Sequence, residues 1–318
     1  MRTTTVNPPL LAILGPTASG KSALALRLAK KFQGAVISAD SQQIYRHAKI
    51  GTNQPAGRWR IANGKWQIVT GKKGLYWVEN IPHFFIDILP PTKQFSAAQF
   101  QTQTNALCQK LSTVGILPIM TGGTGLYISA IVEGYNFPRG KPNLGLRQRL
   151  GKLSTGTLQH RLKSLDWATY KVIDRHNRRR LIRALEHVIA TETSLSQNQL
   201  RQRRPNTLTI GLKIDKSKLR KIITARTKKM LRTGLIKETR HLRKKYPHSP
   251  LLESIGYREV ADFLNGKINQ TQTEQQIINH TWQYARRQMT WFKKMPGVHW
   301  IKSFTQAERL AKNFLGKA

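Results

Sequence analysis

Residues 10–32 read LLAILGPTASGKSALALRLAKKF, and this stretch decides the fold. The apolar run Leu10–Leu14 predicts a buried strand, and residues 22–32 carry apolar side chains at helical spacing. The loop between them matches the pattern G-x-x-x-x-G-K-[ST] in full. In this pattern the glycines let backbone N–H groups surround phosphate oxygens, and the helix N-terminus adds positive potential. The stretch therefore predicts a P-loop of the nucleotide-binding type, although it does not identify the phosphate compound.

Two residues of the predicted P-loop contribute side-chain chemistry. Lys21 supplies a positive charge, and the hydroxyl of Ser22 can hold Mg2+, which makes magnesium the expected cofactor. The residues predicted to bind the diphosphate or nucleotide are Gly15, Pro16, Thr17, Ala18, Ser19, Gly20, Lys21 and Ser22.

Strands and helices alternate beyond the P-loop. Apolar runs at residues 35–39, 84–89 and 116–120 predict strands, and residues 96–111 predict a helix. This order is typical of an α/β fold, so we expect a P-loop NTPase-like parallel sheet flanked by helices. Residues 139–204 lack apolar strand runs and are rich in helix-forming and basic residues. We therefore expect residues 1–138 and 205–318 to form the catalytic core, with residues 139–204 as an inserted small helical domain.

The ends of two predicted strands suggest which chemistry to expect. An ATPase usually ends a strand in an Asp that holds Mg2+, whereas the strand at residues 116–120 leads into Thr121-Gly122-Gly123-Thr124. This weakens the case for ordinary ATP hydrolysis. Asp40 ends the second strand, at the edge where ligands of open parallel sheets bind, so it can serve as a general base. The alternative for Asp40 is a turn or helix cap, and the same alternative applies to Asp87.

The charge of the chain is strongly positive and unevenly distributed. Lys and Arg number 54 against 15 Asp and Glu, a formal net charge of +39. Residues 139–245 alone hold 30 basic and six acidic side chains. Such an excess favours a polyanion as partner, and the arginines at positions 178–180 and 183 are spaced to contact phosphates from one helix. A general basic bias of the proteome, or a solvated helix face, is the alternative explanation.

Composition also argues against several classes of protein. Cys108 is the only cysteine, so a disulfide within the chain and a cysteine-based metal cluster are excluded. The nine histidines show no metal-ligand spacing, and His187 is expected to be structural. No stretch approaches the ~18 apolar residues of a membrane span. We expect a cytoplasmic protein, and a monomer, without membrane contact.

Nine sequence blocks in matching order resemble the tRNA dimethylallyltransferase family (tRNA isopentenyltransferases, or IPP transferases) over nearly the whole chain. They are GPTASGKS at 15–22, ISADSQQIY at 37–45, IGT at 50–52, PHFFID at 82–87, GGTGLY at 122–127, RRLIRALE at 179–186, SIGYR at 254–258, RRQMTWFK at 286–293 and VHW at 298–300.

The resemblance implies a reaction and a set of site residues. The reaction is transfer of a dimethylallyl group from dimethylallyl diphosphate to N6 of adenosine 37, in the anticodon loop of tRNAs that read codons beginning with U. The product is N6-isopentenyladenosine, and the cofactor is Mg2+. By matching position, Asp40 is the implied general base, and Thr124 and Arg226 are catalytic groups that hold the diphosphate with Lys21. The implied tRNA contacts are Asp40, Ser41, Gln42, Gln43, Arg147, Arg179, Arg180, Arg183, Ile255, Gly256, Tyr257, Arg258, Arg286, Arg287, Thr290 and Trp291.

Residues 55–80 are longer than the short segment expected from the resemblance. Alternating apolar residues on either side of Asn63-Gly64 predict a two-stranded hairpin that contains Trp59, Trp66, Tyr76 and Trp77. Its five basic residues are Arg58, Arg60, Lys65, Lys72 and Lys73. Basic and aromatic residues together suit RNA contact. The alternative is that the tryptophans only pin the hairpin to the core.

Three functions other than prenyl transfer to tRNA would each account for part of the sequence. P-loop small-molecule kinases also place an Asp after the second strand, but the basic bias and the missing strand-end Asp argue against that class. A non-catalytic RNA-binding module leaves the P-loop and the facing carboxylate unexplained. Prenylation of free AMP leaves the basic inserted domain without a purpose.

Overall fold

The computed structural model describes residues 7–71, 74–137, 143–195 and 202–316. The chain divides into two compact units. The larger unit comprises Met1–Val132 and Arg204–Ala318, and the smaller unit is Glu133–Arg203.

One sheet of eight strands organises the larger unit. The strands are β1 (Leu10–Leu14), β2 (Gly34–Ser38), β3 (Arg58–Ile61), β4 (Gly74–Val78), β5 (Ile81–Phe84), β6 (Leu117–Gly122), β7 (Thr207–Leu212) and β8 (Val298–Ile301). Their spatial order is β3-β4-β5-β2-β6-β1-β7-β8. Strand β1 is buried along its whole length, as its unbroken apolar sequence predicts for a central strand.

The larger unit also contains helices that flank the sheet. They are α1 (Lys21–Lys31), α2 (Lys65–Thr70), α3 (Ala97–Thr113), α4 (Gly125–Val132), α9 (Lys216–Thr233), α10 (Leu235–Lys245), α11 (Tyr257–Leu264), α12 (Gln270–Phe292) and α13 (Phe304–Leu315), with a 3-10 turn at Pro250–Glu253. A core cluster joins α1 to β1 through Leu24, Leu28, Leu11 and Ile13. This packing fixes the P-loop at the carboxyl end of β1.

The smaller unit is helical and has a hydrophobic core of its own. Its helices are α5 (Leu144–Gly151), α6 (Thr155–Leu165), α7 (Trp167–Val172) and α8 (Arg178–Thr191). The core contains Leu150, Leu158, Leu162, Leu181, Ala184 and Leu185. His187 is buried on α8.

The predicted P-loop NTPase-like α/β fold is confirmed, with one correction to the sheet. Seven of these eight strands run in one direction, but β4 runs the other way and pairs antiparallel with both β3 and β5, so the sheet is mixed. The sequence pattern did not reveal this edge because β3 and β4 lie within the unusually long segment 55–80.

The predicted hairpin around Asn63-Gly64 is wrong. Residues after Gly64 form helix α2, and β3 pairs instead with β4, for example Trp59 opposite Tyr76. Because β4 also pairs with β5, the two extra strands extend the main sheet and do not form an isolated ribbon. Two of the basic residues singled out in this segment, Lys72 and Lys73, lie outside the described residues.

Candidate active site

The P-loop borders a cavity of about 290 Å³ at the carboxyl edge of the sheet. Gly20 precedes α1 with a φ of 88°, a left-handed conformation that glycine adopts without strain. The ammonium of Lys21 donates a hydrogen bond to the Pro16 carbonyl at 3.0 Å. The cavity lining combines P-loop residues, Ser22 among them, with side chains from elsewhere in the unit, including Asp40 and Arg226. The predicted phosphate loop and the predicted base therefore share one cavity.

Lys21 and Arg226 bring two cations to this cavity. Arg226 lies on α9, and its Nη1 donates to Thr17 Oγ1 at 3.0 Å. Burial lowers the pKa of Lys21 to about 8, an effect that Asp40 opposes and Arg226 reinforces. Burial also lowers the pKa of Arg226, again with Asp40 opposing. Two cations held close together away from water favour an anion that carries more than one charge.

Asp40 follows β2 and lines the same cavity as the two cations. Its Oδ1 accepts a hydrogen bond from the backbone N–H of Gln42 at 2.9 Å, so the capping contact considered from sequence is present. A carboxylate has about four lone-pair sites, so this one contact leaves capacity for accepting a proton. Capping and a general-base role are therefore compatible at Asp40.

The Gly-Gly-Thr-Gly loop after β6 packs against the end of β2. The backbone N–H of Thr124 donates to the Ala39 carbonyl at 3.1 Å, and Thr124 Oγ1 accepts from the Ser41 N–H at 2.9 Å. A Cβ on Gly122 would lie 2.1 Å from the Ala39 carbonyl oxygen, so only glycine allows this approach. Gly122 lines the cavity, whereas Thr124 is not among the lining residues. Thr124 thus holds the turn that carries Asp40.

Gln288, a buried residue of α12, was missed by the sequence reasoning although it lies inside the quoted block at 286–293. Its Oε1 accepts from the Thr17 N–H at 2.7 Å, and its Nε2 donates to the Gly123 carbonyl at 2.7 Å. Tyr284, one turn earlier, donates from its hydroxyl to the same carbonyl at 3.3 Å. One amide therefore connects the P-loop with the loop after β6.

Gln43 connects the cavity with a neighbouring loop, residues 48–54. Its Nε2 donates to the carbonyls of Thr52 at 3.3 Å and Asn53 at 3.2 Å, and its Oε1 accepts from Ser38 Oγ at 3.1 Å. Gln43, Thr52 and Asn53 all line the cavity.

Glu238, on α10, holds the first part of the same loop and was also missed from sequence. Its carboxylate accepts hydrogen bonds from the backbone N–H groups of Lys49, Ile50 and Gly51 at 2.9 to 3.1 Å. It also accepts from the hydroxyl of Tyr257 at 2.7 Å. Tyr257 was proposed as a tRNA contact, but its side chain is fully buried and occupies a structural position.

Further candidate tRNA contacts of the larger unit lie on α12, at the start of α11 and in the turn before α11. Arg286, Arg287 and Thr290 are exposed on α12. Trp291 is half-buried, and its indole N–H donates to Ser129 Oγ at 2.9 Å. Arg258, at the start of α11, donates to the buried Glu259 at 2.9 Å. Ile255 and Gly256 precede it in the turn between the 3-10 helix and α11.

The candidate tRNA contacts of the smaller unit differ in their exposure. Arg179, Arg180 and Arg183 are exposed on α8. Arg147 forms a paired contact with Glu186, with Nη2 2.7 Å from Oε2. Arg178 belongs to the basic run identified from sequence. Its Nη2 donates to the backbone carbonyls of residues 151 and 153, so it makes structural contacts within the smaller unit.

Two family models match consecutive parts of the chain. The model described as "IPP transferase" matches residues 64–295, and the one described as "Isopentenyl transferase" matches residues 8–58. The chain belongs to the IPP transferase family. Members of this family are named for the transfer of an isopentenyl group, which is consistent with a P-loop cavity that lacks the strand-end Asp of ATPases.

Individual members of the IPP transferase family match over most of the chain. A tRNA dimethylallyltransferase of Gloeothece citriformis is 37% identical over 92% of this chain and 91% of its own length. The crystal structure of a tRNA isopentenylpyrophosphate transferase from Staphylococcus epidermidis is 32% identical, with a TM-score of 0.66, and covers 98% of this chain and 100% of that one. The crystal structure of a tRNA isopentenylpyrophosphate transferase from Bacillus halodurans is 30% identical, with a TM-score of 0.67. The match covers 98% of this chain and 96% of that one.

Three further observations apply to this chain. None of the helices in the described ranges is both long and apolar enough to cross a membrane. Within the same ranges, no three His, Cys, Asp or Glu side chains converge in a way that could hold a metal ion. Cys108 is a free, buried cysteine whose thiol pKa is raised to about 11 by burial.

Proposed function

We propose that this protein transfers a dimethylallyl group from dimethylallyl diphosphate to N6 of adenosine 37 in tRNAs that read codons beginning with U. The product is N6-isopentenyladenosine. The observation that carries the proposal is the position of Asp40, in the cavity that also holds the P-loop, Lys21 and Arg226. Membership of the IPP transferase family supports the class of reaction.

The diphosphate is the part of the donor that the P-loop binds. Lys21, Arg226 and the backbone N–H groups at the start of α1 neutralise its charge. When the C1–O bond of the donor breaks, the diphosphate leaves with the electron pair, and these same groups stabilise the added negative charge. An ATPase carboxylate is not needed for this step, because no phosphoryl group is transferred.

Asp40 acts on the acceptor. As N6 of adenine forms a bond to C1 of the dimethylallyl group, one N6 proton passes to the Asp40 carboxylate. Thr124 and the Gln42 N–H hold the turn that carries Asp40, so the carboxylate is positioned before the substrates arrive. An adenine stacked inside an anticodon loop must leave the stack to reach this carboxylate.

Magnesium fits the site as an ion that arrives with the diphosphate. Mg2+ is commonly bound through substrate phosphates and one or two protein oxygens, and only rarely by a cage of protein ligands. Ser22, which lines the cavity, would supply a protein oxygen. When bound, the ion offsets the charge that develops on the departing diphosphate.

The tRNA contacts proposed here come from both units. On α12 they are Arg286, Arg287, Thr290 and Trp291, and around the site they include Ser41, Gln42, Gln43, Ile255, Gly256 and Arg258. The smaller unit contributes Arg179, Arg180 and Arg183, with Arg147 available only if it leaves Glu186. We propose that the enzyme is cytoplasmic, and that a monomer suffices because every side chain assigned to the diphosphate comes from one compact unit of one chain.

The test is incubation with labelled dimethylallyl diphosphate and unmodified tRNA, followed by mapping of the modified nucleoside. The expected label is on adenosine 37 of tRNAs that read codons beginning with U. A tRNA with guanosine at position 37 and free AMP are the controls that should remain unlabelled. Transfer of phosphate from ATP to a small metabolite, with no prenyl label on tRNA, would overturn the proposal in favour of a kinase.

A further inference from the structure

The extra segment of this chain adds an exposed edge to the sheet. Strand β3 is the last strand on one side, and its four residues Arg58, Trp59, Arg60 and Ile61 are all exposed. Trp59 is 42% exposed and Ile61 78% exposed, so this edge presents two large apolar side chains to solvent. An edge strand of this kind is free to meet a partner.

The register of the sheet places this edge in line with the cavity. Val36 pairs with His83, His83 with Tyr76, and Tyr76 with Trp59, so these four side chains form one row on one face of the sheet. Val36 and His83 line the cavity. With strands about 4.8 Å apart, Trp59 lies roughly 14 Å from Val36 along this row. That span is about four nucleotide steps of a stacked strand, at 3.4 Å per base along B-form DNA and comparable in RNA.

The contacts within this segment leave part of the Trp59 ring and the basic side chains open to solvent. The indole N–H of Trp59 donates to Asp87 at 3.1 Å, and the ring packs edge-on against Tyr76, which fixes its orientation while part of it remains open. The guanidinium of Arg60 lies 5.7 Å above the Trp77 ring, and Lys65 Nζ lies 5.9 Å from the Trp66 ring. Both guanidinium nitrogens Nη1 and Nη2 of Arg60 also donate to Asn80 Oδ1 at 3.3 Å. The rings and this amide are neutral, so these contacts leave the positive charges of Arg60 and Lys65 uncompensated, and both residues are exposed.

Charge identifies the class of partner. No Asp or Glu occurs between Asp40 and Glu79, whereas Arg58, Arg60 and Lys65 fall within this interval. An acidic partner with flat apolar groups would complement such a surface, and RNA provides both phosphates and bases. The edge-strand surface comprises Trp59 and Ile61 on one face of β3, Arg58 and Arg60 on the other face, and the nearby Lys65. We propose that it binds tRNA across this edge, through the tRNA backbone and one unstacked nucleotide about four steps from the modified adenosine. This inference rests on the proposed function for the identity of the RNA.

The first test compares a variant that loses two positive charges at the edge strand with a variant that loses two positive charges elsewhere in the protein. The double variant Arg58→Gln/Arg60→Gln is matched by Arg309→Gln/Lys312→Gln on α13, which packs against β7 and β8 at the opposite side of the sheet. Binding of unmodified tRNA is measured by fluorescence anisotropy over a series of salt concentrations. Loss of two phosphate contacts lowers the slope of log K against log salt by about 2. The control pair should keep the wild-type slope.

The second test separates stacking from packing. Trp59→Ala should weaken tRNA binding about tenfold, the effect of losing one stacked base. Trp59→Phe keeps a ring but loses the hydrogen bond to Asp87, and it should restore most of the affinity. In steady-state assays both Trp59→Ala and the arginine pair should raise KM for tRNA, with KM for dimethylallyl diphosphate unchanged.

The outcomes distinguish this surface from the proposed function. If wild-type protein modifies tRNA but the arginine pair and its control behave alike, the edge-strand surface is not an RNA contact. If wild-type protein binds tRNA with a slope that the arginine pair reduces, yet transfers no prenyl group, the surface stands and the proposed reaction fails. A concentration-dependent dimer that Ile61→Ser dissociates, with tRNA binding unaltered, would assign the edge to a second copy of this chain and overturn the inference.

Discussion

Gln288 and Thr17 are 271 positions apart, yet the side-chain carbonyl of the first accepts the backbone N–H of the second at 2.7 Å. The same amide donates to the Gly123 carbonyl, so both of its polar atoms are satisfied inside the protein. Removing this amide leaves the Thr17 N–H without its partner, and leaves the Gly123 carbonyl with the 3.3 Å hydrogen bond from Tyr284. A buried polar group without a partner costs about 1–3 kcal/mol.

Gln288→Ala should therefore lower the free energy of unfolding by about 1–3 kcal/mol, and it should also raise KM for dimethylallyl diphosphate because the P-loop loses its support. Gln283→Ala, at an exposed position of the same helix, is the matched control and should change neither quantity. Denaturant unfolding and steady-state kinetics measure the two effects. A stability loss with unaltered KM would mean that the amide supports the fold without shaping the P-loop.

Asp40→Asn distinguishes a base from a cap. Asparagine keeps a side-chain oxygen for the Gln42 N–H but cannot take up a proton, so kcat should fall by ~10²–10⁴ while binding of dimethylallyl diphosphate is retained. Calorimetric titration of the diphosphate and single-turnover rates at saturating tRNA measure the two quantities. Full activity in Asp40→Asn, together with loss in Asp40→Ala, would assign Asp40 a capping role only.

The pH dependence of donor binding should report on Lys21. Its pKa in the free protein is about 8, so the ammonium is charged below that pH and loses its proton above it. The diphosphate binds the charged form, and kcat/KM for dimethylallyl diphosphate should therefore fall as pH rises through about 8. In Lys21→Arg the side chain stays charged, and this fall should disappear. A profile that is flat up to pH 9 in wild-type protein would contradict the assignment.

Glu238→Gln tests the support of the loop at residues 48–54. The carboxylate accepts three backbone N–H groups and the Tyr257 hydroxyl, and a neutral amide replaces one acceptor oxygen by a donor. We expect a lower free energy of unfolding and a lower kcat/KM for tRNA, because Gln43 is held by the same loop. Tyr257→Phe removes a single hydrogen bond and should lose only about 0.5–1.5 kcal/mol of stability. Equal effects of the two variants would show that the backbone contacts contribute little.

The parts of the fold that the sequence predicted are those with local signals. The P-loop, the helix after it and the buried strands β1, β2 and β6 follow from a motif and from apolar runs. Asp40 could be located because it ends such a run. The hairpin expected at residues 55–80 failed because Asn63-Gly64 is a turn signal that either a strand or a helix can follow, and here α2 follows.

The supporting residues of the site could not be found in this way. Gln288 and Glu238 form hydrogen bonds with backbone groups. Nearly every residue type has the same backbone groups, so the sequence at the partner position does not reveal the contact. Their partners lie more than 180 positions away, at Thr17 and Gly51. Thr124 was identified as a site residue from sequence, but its hydrogen bond from the Ser41 N–H was not predicted, because the partner is again a backbone group.

The placement of β1 between β6 and β7 has a consequence for how the chain is made. On the ribosome, β1 and β6 are available to each other once residue 122 has emerged, but β7 ends at residue 212. Until then one side of β1 is an open edge with an apolar sequence, and the nascent chain meanwhile completes the helical unit. Such an edge is prone to pair with other chains. Slow synthesis across residues 122–212 would prolong this exposure, so the yield of folded enzyme should depend on the speed of translation within that interval.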